Sequence, residues 1–156
     1  MEPFRAAVAS PVGDWIIEGS DQAVTRIYEP HVMAGVSRGT APRAVATAQK
    51  QLGEYFAGKR KEFHVTLAHV AATPFQREVW EALGDIPYGE VCTYAQVAFA
   101  IGNPRAMRAI GNANHANPWP IIVPCHRVVA RHGIGGYGGG TDVKRYLLEL
   151  EGVTYS

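Results

Sequence analysis

The stretch TYAQVAFAIGNPRAMRAIGNANH, which spans residues 93–115, holds two helical patterns joined by a tight turn. Thr93 and Gln96 have the spacing of a capping box, which predicts that a short helix starts there. Gly102 ends this helix, and Asn103-Pro104 is predicted to start the next helix immediately. A helix, a glycine-containing turn and a second helix together predict a helix-turn-helix domain.

The second predicted helix combines a polar side with small residues. Its polar side holds Arg105, Arg108, Asn112 and His115. The small residues are Ala106, Ala109, Gly111 and Ala113. Small side chains would let the helix backbone approach a partner closely. An ordinary helical hairpin with a solvated basic face has the same pattern, so both interpretations remain open at this point.

Helical patterns continue on both sides of this stretch. Thr73-Pro74-Phe75-Gln76 combines a capping box with a proline suited to the first turn, and Gly84 ends the helix that it predicts. Residues 121–123 predict a short buried strand or extended segment. A final helix, closed by Gly152, is predicted from apolar residues at helical spacing: Val143, Tyr146, Leu147 and Leu150.

The first part of the chain has the pattern of strands, turns and one helix. Strands are predicted over 4–10, 15–18 and 23–28, and the helix over 42–56. Residues 63–68 alternate loosely and could form a further strand.

Composition and charge narrow the class of protein. The 156 residues are 47% hydrophobic and 19% charged, which allows a real core and excludes wholesale disorder. The formal net charge is only +1, so the total charge does not indicate a nucleic-acid partner. However, residues 91–141 contain no Asp or Glu but four Arg and three His. This distribution suits a polyanion, with chance plus a hydrophobic interior as the alternative.

The chain has two cysteines, Cys92 and Cys125. Residues 1–10 show no secretory signal, and no apolar run has the length of a membrane span. We therefore expect a cytoplasmic protein with reduced thiols and no membrane partner. Cys92 is expected to be a packed, inert thiol.

Cys125 is the candidate nucleophile, because the next residue, His126, is the kind of base that generates a thiolate at neutral pH. Adjacency does not guarantee contact, and a buried structural thiol is the alternative. Glu151 lies beside the apolar stripe of the last predicted helix, where a carboxylate would need a donor such as an imidazole. An exposed surface acid is the alternative for Glu151.

Residues 133–140 contain six glycines in eight positions. Their N–H groups could approach a ligand, the run could be the wing of a winged helix, or it could be a flexible linker. Metal-binding patterns are poor: there is no Cys-x-x-Cys, and Val128 stands where a zinc deaminase needs its second cysteine. No metal or cofactor is expected.

The segment IIVPCHRV, residues 121–128, resembles the active-site segment of O6-alkylguanine-DNA alkyltransferases, the methylated-DNA–protein-cysteine methyltransferases. Other segments resemble the same family in the same order: Thr73–Gln76 with Val79-Trp80, Ile86–Glu90, Thr93-Tyr94, Arg105–Asn117 and Lys144–Gly152. The resemblance covers essentially the whole C-terminal half, and the N-terminal part is compatible but less diagnostic.

The resemblance implies an α+β protein of two domains. Residues 1–70 would form a small ribonuclease H-like α/β domain, and residues 71–156 a winged-helix DNA-binding and catalytic domain. The partner would be double-stranded DNA containing alkylated guanine, bound through the minor groove by a monomer. The activity would be single-turnover transfer of a methyl or alkyl group from the O6 oxygen of a flipped guanine to the protein.

The resemblance also implies roles for individual residues. Cys125 would accept the alkyl group, His126 would be a water-linked base, and Glu151 would polarise it. Tyr94 would help to protonate the leaving guanine, and Asn117 would brace the turn around the site. Arg108 would fill the stack that the base leaves, and the other predicted DNA contacts are Thr93, Tyr94, Arg105 and Asn112. The predicted base pocket comprises Trp119, Val128, Tyr137 and Gly138.

Two features leave alternatives in place. The loop over residues 132–137 is one residue shorter than is usual in the family, which puts the base-contacting N–H groups in doubt. Some relatives lack the cysteine and only bind lesions, so a non-catalytic lesion-binding protein is one alternative. A cysteine hydrolase using Cys125 and His126 is the other. Since Cys125 is present, an active transferase is predicted.

Overall fold

The computed structural model describes residues 3–32, 34–137 and 140–154. The chain divides into two compact units, Met1–Val70 and Ala71–Ser156. Both units contain strands and helices, which confirms the predicted α+β class. Across the described ranges, no helix has the length and apolar character needed to cross a membrane.

The first unit is an antiparallel three-stranded sheet with one helix packed against it. Strands β1 (Phe4–Val8), β2 (Trp15–Gly19) and β3 (Val24–Tyr28) lie in sequence order, and helix α1 spans Arg43–Phe56. These elements match the predicted ones within a few residues. The further strand predicted over 63–68 is wrong, because only an isolated parallel bridge joins Leu67 to Val24 there.

The core of the first unit comes from the apolar stripe of α1 and the facing side of the sheet. Trp15, Ile17, Val45, Leu52 and Tyr55 are fully buried. Apolar burial of this kind contributes roughly 25 cal/mol per Å² removed from water, which makes it the main term that holds helix and sheet together.

The second unit is mainly helical. It contains α2 (Pro74–Gly84), β4 (Cys92–Thr93), α3 (Tyr94–Ala100), α4 (Met107–His115), β5 (Val128–Val129) and α5 (Thr141–Leu150). The two predicted capping boxes are both present. Thr73 and Gln76 exchange side-chain and backbone hydrogen bonds at the start of α2, and Thr93 and Gln96 do so at the start of α3.

The second helix of the helix-turn-helix begins later than predicted. Asn103 accepts a hydrogen bond from the Ala106 N–H, so Asn103–Ala106 closes a turn of its own, and α4 starts at Met107. Arg105 therefore lies in the turn before α4 and not on the helix.

The segment before Cys125 is a turn, so the strand or extended segment predicted over 121–123 is wrong. Ile121 is a non-glycine residue with φ of 75°, a left-handed conformation that β-branched side chains rarely adopt. The Val123 N–H donates to the Trp119 carbonyl across this turn at 2.9 Å. Ile121 and Val123 are nevertheless buried, as the apolar run predicted.

A short parallel ladder, which has no signal in the sequence, positions the site. Cys92 pairs with Val128 and Thr93 with Val129. Because Thr93 directly precedes α3 and Val128 directly follows Arg127, the ladder brings the start of α3 next to the segment that carries Cys125.

Candidate active site

Cys125 begins a turn of 3-10 helix, Cys125–Arg127, at the end of the buried segment. Pro124 precedes it, and the Arg127 N–H donates to the Pro124 carbonyl at 3.0 Å. Cys125 is 4% exposed and forms no disulfide. The turn fixes the direction of three consecutive functional side chains, since Cys125, His126 and Arg127 all belong to it.

Two buried asparagines hold this turn in place. Asn114, near the end of α4, donates from Nδ2 to the carbonyl of Cys125 at 3.1 Å. Asn117 donates from Nδ2 to the carbonyl of Val123 at 2.8 Å and accepts from the Trp119 N–H at 3.0 Å. Asn117 thus has the bracing position that was predicted for it, and Asn114 has a similar one that the sequence did not indicate.

His126 and Glu151 form a fully buried pair, as the resemblance implied. His126 Nε2 lies 2.7 Å from Glu151 Oε2, and both side chains are 0% exposed. Because a carboxylate accepts, Nε2 carries the hydrogen and Nδ1 is left as the basic nitrogen of the neutral ring. Burial lowers the pKa of His126, and the hydrogen bond to Glu151 partly opposes this effect. Nδ1 is buried and has no hydrogen-bond partner within the residues that the structure describes.

Arg127 is a further site residue that sequence reasoning missed. Its Nε and Nη2 atoms donate to the two oxygens of Glu151 at 2.8 and 3.1 Å, and its Nη1 donates to the carbonyl of Ile86 at 2.7 Å. The Gly89 N–H also donates to Glu151, at 3.2 Å. From sequence alone Arg127 counts only as one cation of the acid-free stretch, although a buried Glu151 signals the need for donors.

Several hydrogen-bond donors together stabilise the negative charge of Glu151 in the protein interior. A bidentate guanidinium, an imidazole N–H and a backbone N–H share its two oxygens. Charge-assisted hydrogen bonds of this kind are roughly twice as strong as neutral ones. The carboxylate in turn fixes the orientation of both His126 and Arg127.

Tyr94, the first residue of α3, lies near the sulfur. Burial raises the pKa of Tyr94, and a negative charge on the Cys125 sulfur would raise it further. The phenol consequently stays protonated at neutral pH and keeps a proton to donate.

A surface cavity of about 560 Å³ lies beside Tyr94. It is lined by residues of β4, of α3, of α4 and of the segment after β5: Thr93, Tyr94, Ala95, Met107, Arg108, Gly111, Ala130 and Arg131. The two arginines provide positive charge at its rim, and the small residues keep the helix surface open. The cavity therefore offers a space of the size that a ligand site needs, next to a proton donor.

The other predicted DNA contacts lie in the same helix-turn-helix. Arg105 and Asn112 are exposed, in the turn before α4 and on α4 itself. Thr93 lines the cavity and also caps α3, since its Oγ1 accepts from the Gln96 N–H at 3.1 Å. Their contact with DNA stays a prediction.

The predicted base-pocket residues that the structure describes differ in their burial and surroundings. Trp119 is buried edge-on against Trp80, with ring centroids 5.8 Å apart. Val128 is fully buried in β5, and its carbonyl accepts a hydrogen bond from Lys144 Nζ at 2.6 Å. Tyr137 is half-buried, and Gly138 lies outside the described residues.

Metal binding has no structural basis in the described part of the chain. No group of three or more His, Cys, Asp or Glu side chains could hold an ion there.

Fold and site together define a class: an α+β protein with a helix-turn-helix unit that carries a cysteine beside a buried His–Glu pair. Residues 74–153 match the family described as 6-O-methylguanine DNA methyltransferase, DNA binding domain. The chain belongs to the family of methylated-DNA–protein-cysteine methyltransferases.

Individual relatives match along almost the whole chain. The constitutive methylated-DNA–protein-cysteine methyltransferase of Bacillus subtilis is 40% identical over 97% of both chains. The Mycolicibacterium paratuberculosis enzyme is 46% identical over 92% of this chain and 89% of its own. A crystal structure of Mycobacterium tuberculosis OGT in complex with DNA is 43% identical, covers 96% of this chain and 93% of that one, and superposes with a TM-score of 0.83.

Proposed function

We propose that this protein repairs alkylated guanine in duplex DNA by moving the alkyl group from O6 onto Cys125. The observation that carries the proposal is the continuity of the turn: Cys125 and His126 are consecutive residues of it, and His126 is bonded to buried Glu151. The second unit is accordingly assigned as the DNA-binding and catalytic domain, and the first as having little direct chemistry.

The nucleophile is generated by a proton transfer away from the sulfur. With Nε2–H bonded to Glu151, the lone pair on Nδ1 of His126 is the acceptor within the turn. A bridging water would carry the Cys125 proton to Nδ1, because consecutive side chains of the turn need not touch. The imidazolium that results is stabilised by the Glu151 carboxylate.

The transfer itself is a direct displacement at carbon. The Cys125 sulfur forms a bond to the alkyl carbon while the bond from that carbon to O6 breaks, and the electron pair leaves with guanine. The Tyr94 phenol, kept protonated by its raised pKa, supplies the proton that neutralises the leaving base. The thioether product has no activated bond, so one protein removes one alkyl group.

Access to the buried O6 requires the nucleotide to leave the base stack, which costs roughly a few kcal/mol. The cavity beside Tyr94 is the space for the flipped base, and Arg108 on its rim is the side chain that fills the vacated stack. The remaining predicted contacts on the exposed face, Arg105 and Asn112, would hold the backbone in the minor groove. A monomer acting in the cytoplasm completes the proposal.

Intact-protein and peptide mass spectrometry tests the transfer directly. After incubation with duplex containing O6-methylguanine, we expect one methyl mass per protein, located on the peptide that contains Cys125. A Cys92→Ser variant is the matched control and should take up the same amount, since the Cys92 side chain belongs to neither the Cys125–Arg127 turn nor the lining of the cavity. Bound duplex with an unchanged protein mass would support a lesion-binding protein instead, and repeated turnover would support a hydrolase.

Arg108→Ala is expected to slow methyl transfer from duplex by at least about tenfold more than transfer from free O6-methylguanine base. The guanidinium is needed only when a base must be flipped and its place filled, because the free base is already unstacked. Rates are measured by methyl uptake on both substrates, with Arg77→Ala, a change in α2, as the charge control. Equal losses on duplex and free base would contradict a role in flipping.

A further inference from the structure

Lys144 is a buried cation that the proposed chemistry has not used. It lies in α5 with 0% of its surface exposed. Its Nζ donates to the carbonyl of Val128 at 2.6 Å and to the carbonyl of Gly136 at 3.1 Å. Within the described ranges no carboxylate lies in ion-pair distance of this ammonium group. Burying a lysine without an acidic partner costs free energy, so its presence calls for a functional reason.

The two carbonyls that Lys144 binds belong to separate parts of the site. Val128 directly follows the Cys125–Arg127 turn, whereas Gly136 belongs to the glycine-rich loop. One side chain thus ties this loop to β5, the strand that directly follows the Cys125–Arg127 turn. The approach is close: a Cβ added at Gly135, where φ is 80°, would lie 3.3 Å from Lys144 Nζ and 3.4 Å from the Tyr94 ring.

Electrostatics connects the same ammonium group to the sulfur. Burial lowers the pKa of Lys144 to about 8, and the negative charge of Cys125 acts in the opposite direction. At neutral pH the ammonium form still predominates. The positive charge also disfavours a second charge on His126, whose pKa it helps to lower. Arg127, the other cation close by, is already neutralised by Glu151.

We propose that Lys144 is a positioning residue for the alkyl transfer, which fastens the glycine-rich loop to β5 next to the Cys125–Arg127 turn and stabilises the Cys125 thiolate by its charge. This inference rests on the proposed function, because it assigns the thiolate as the attacking group. His126 removes the proton, and Lys144 then makes the resulting anion less costly in a buried site. At Gly135 the same loop approaches the Tyr94 ring.

The first test compares Lys144→Met, which removes charge and donors, with Lys144→Gln, which keeps a donor but removes the charge. The readout is the pH profile of Cys125 alkylation by iodoacetamide, followed on the Cys125 peptide by mass spectrometry, with Cys92 as an internal reference. Both variants should shift the midpoint upward by about one pH unit, which slows alkylation about tenfold below the midpoint. Lys50→Met, an exposed change in α1, should leave the profile unchanged.

An unshifted midpoint in folded Lys144 variants would overturn the proposal. Methyl uptake from free O6-methylguanine base should fall in parallel with the alkylation rate. Alkylation by iodoacetamide needs no damaged DNA. It therefore tests the role of Lys144 independently of the proposed alkyl transfer. A shifted profile without methyl uptake would contradict the proposed function, whereas normal uptake with an unshifted profile would contradict only the role of Lys144.

A second test uses a protein with an intact Lys144 and so does not depend on how its variants fold. In Cys92→Ser protein, methyl methanethiosulfonate caps Cys125 as a neutral methyl disulfide and releases methanesulfinate. NMR then follows the titration of the side chains, which is feasible because the chain has only four lysines. Interactions between sites are reciprocal, so loss of the thiolate should lower the Lys144 midpoint. A midpoint that does not move on capping would overturn the electrostatic role.

Discussion

A Cys125→Ser variant is expected to lose methyl transfer by at least about 10³-fold while it still binds methylated duplex. A serine hydroxyl is not ionised at neutral pH, and oxygen is a poorer nucleophile than sulfur toward saturated carbon. The base, His126, and the proton donor, Tyr94, remain in place, so the loss isolates the nucleophile. Methyl uptake by mass spectrometry and duplex binding by fluorescence anisotropy measure the two properties separately.

Binding should survive because the predicted DNA contacts lie elsewhere. Arg108 and Asn112 are on α4, and Thr93 caps α3. Serine is also close in size to cysteine, so the turn held by Asn114 and Asn117 should persist. If Cys125→Ser still accepted a methyl group at a rate near that of the wild type, Cys125 would not be the acceptor.

Glu151→Gln is expected to reduce both stability and methyl transfer. The amide leaves Arg127 buried without a charge partner, and breaking a buried pair in this way costs about 3–5 kcal/mol of the free energy of unfolding. Urea unfolding measures this loss. Glu149→Gln is the matched control, because Glu149 lies two residues earlier on α5 and is exposed. It should change the free energy of unfolding by less than about 0.5 kcal/mol.

The effect of Glu151→Gln on the rate of methyl transfer depends on which ring nitrogen of His126 carries the hydrogen. A glutamine NH₂ facing Nε2 favours the tautomer in which Nε2 accepts and Nδ1 carries the hydrogen. Nδ1 can then no longer take the proton from Cys125, and the contribution of a general base, about 10²–10⁴-fold, is lost. Methyl uptake from free base, measured well below the unfolding midpoint, separates this effect from instability. A folded Glu151→Gln protein with a wild-type rate would exclude the His126–Glu151 pair from the chemistry.

Local signals predicted the helices of this protein well and its irregular segments poorly. The capping boxes at Thr73 and Thr93 are self-contained patterns of four residues, and both helices start where those patterns place them. The start of α4 was misplaced because Asn103–Ala106 closes its own turn, which competes with a helix over the same residues. The left-handed conformation of Ile121 has no local signal, since its apolar neighbours also suit a strand.

The residue types of the site, the helix-turn-helix and the resemblance to a family are all readable from the order of the amino acids. Which groups share Glu151 depends on long-range packing, because the carboxylate meets His126 across 25 positions of chain and Ile86 meets Arg127 across 41. The burial of Lys144 against Val128 and Gly136 depends on the same packing. Such contacts depend on how the β4–β5 ladder and α5 pack, and packing is a cooperative property of the whole unit that no short pattern encodes.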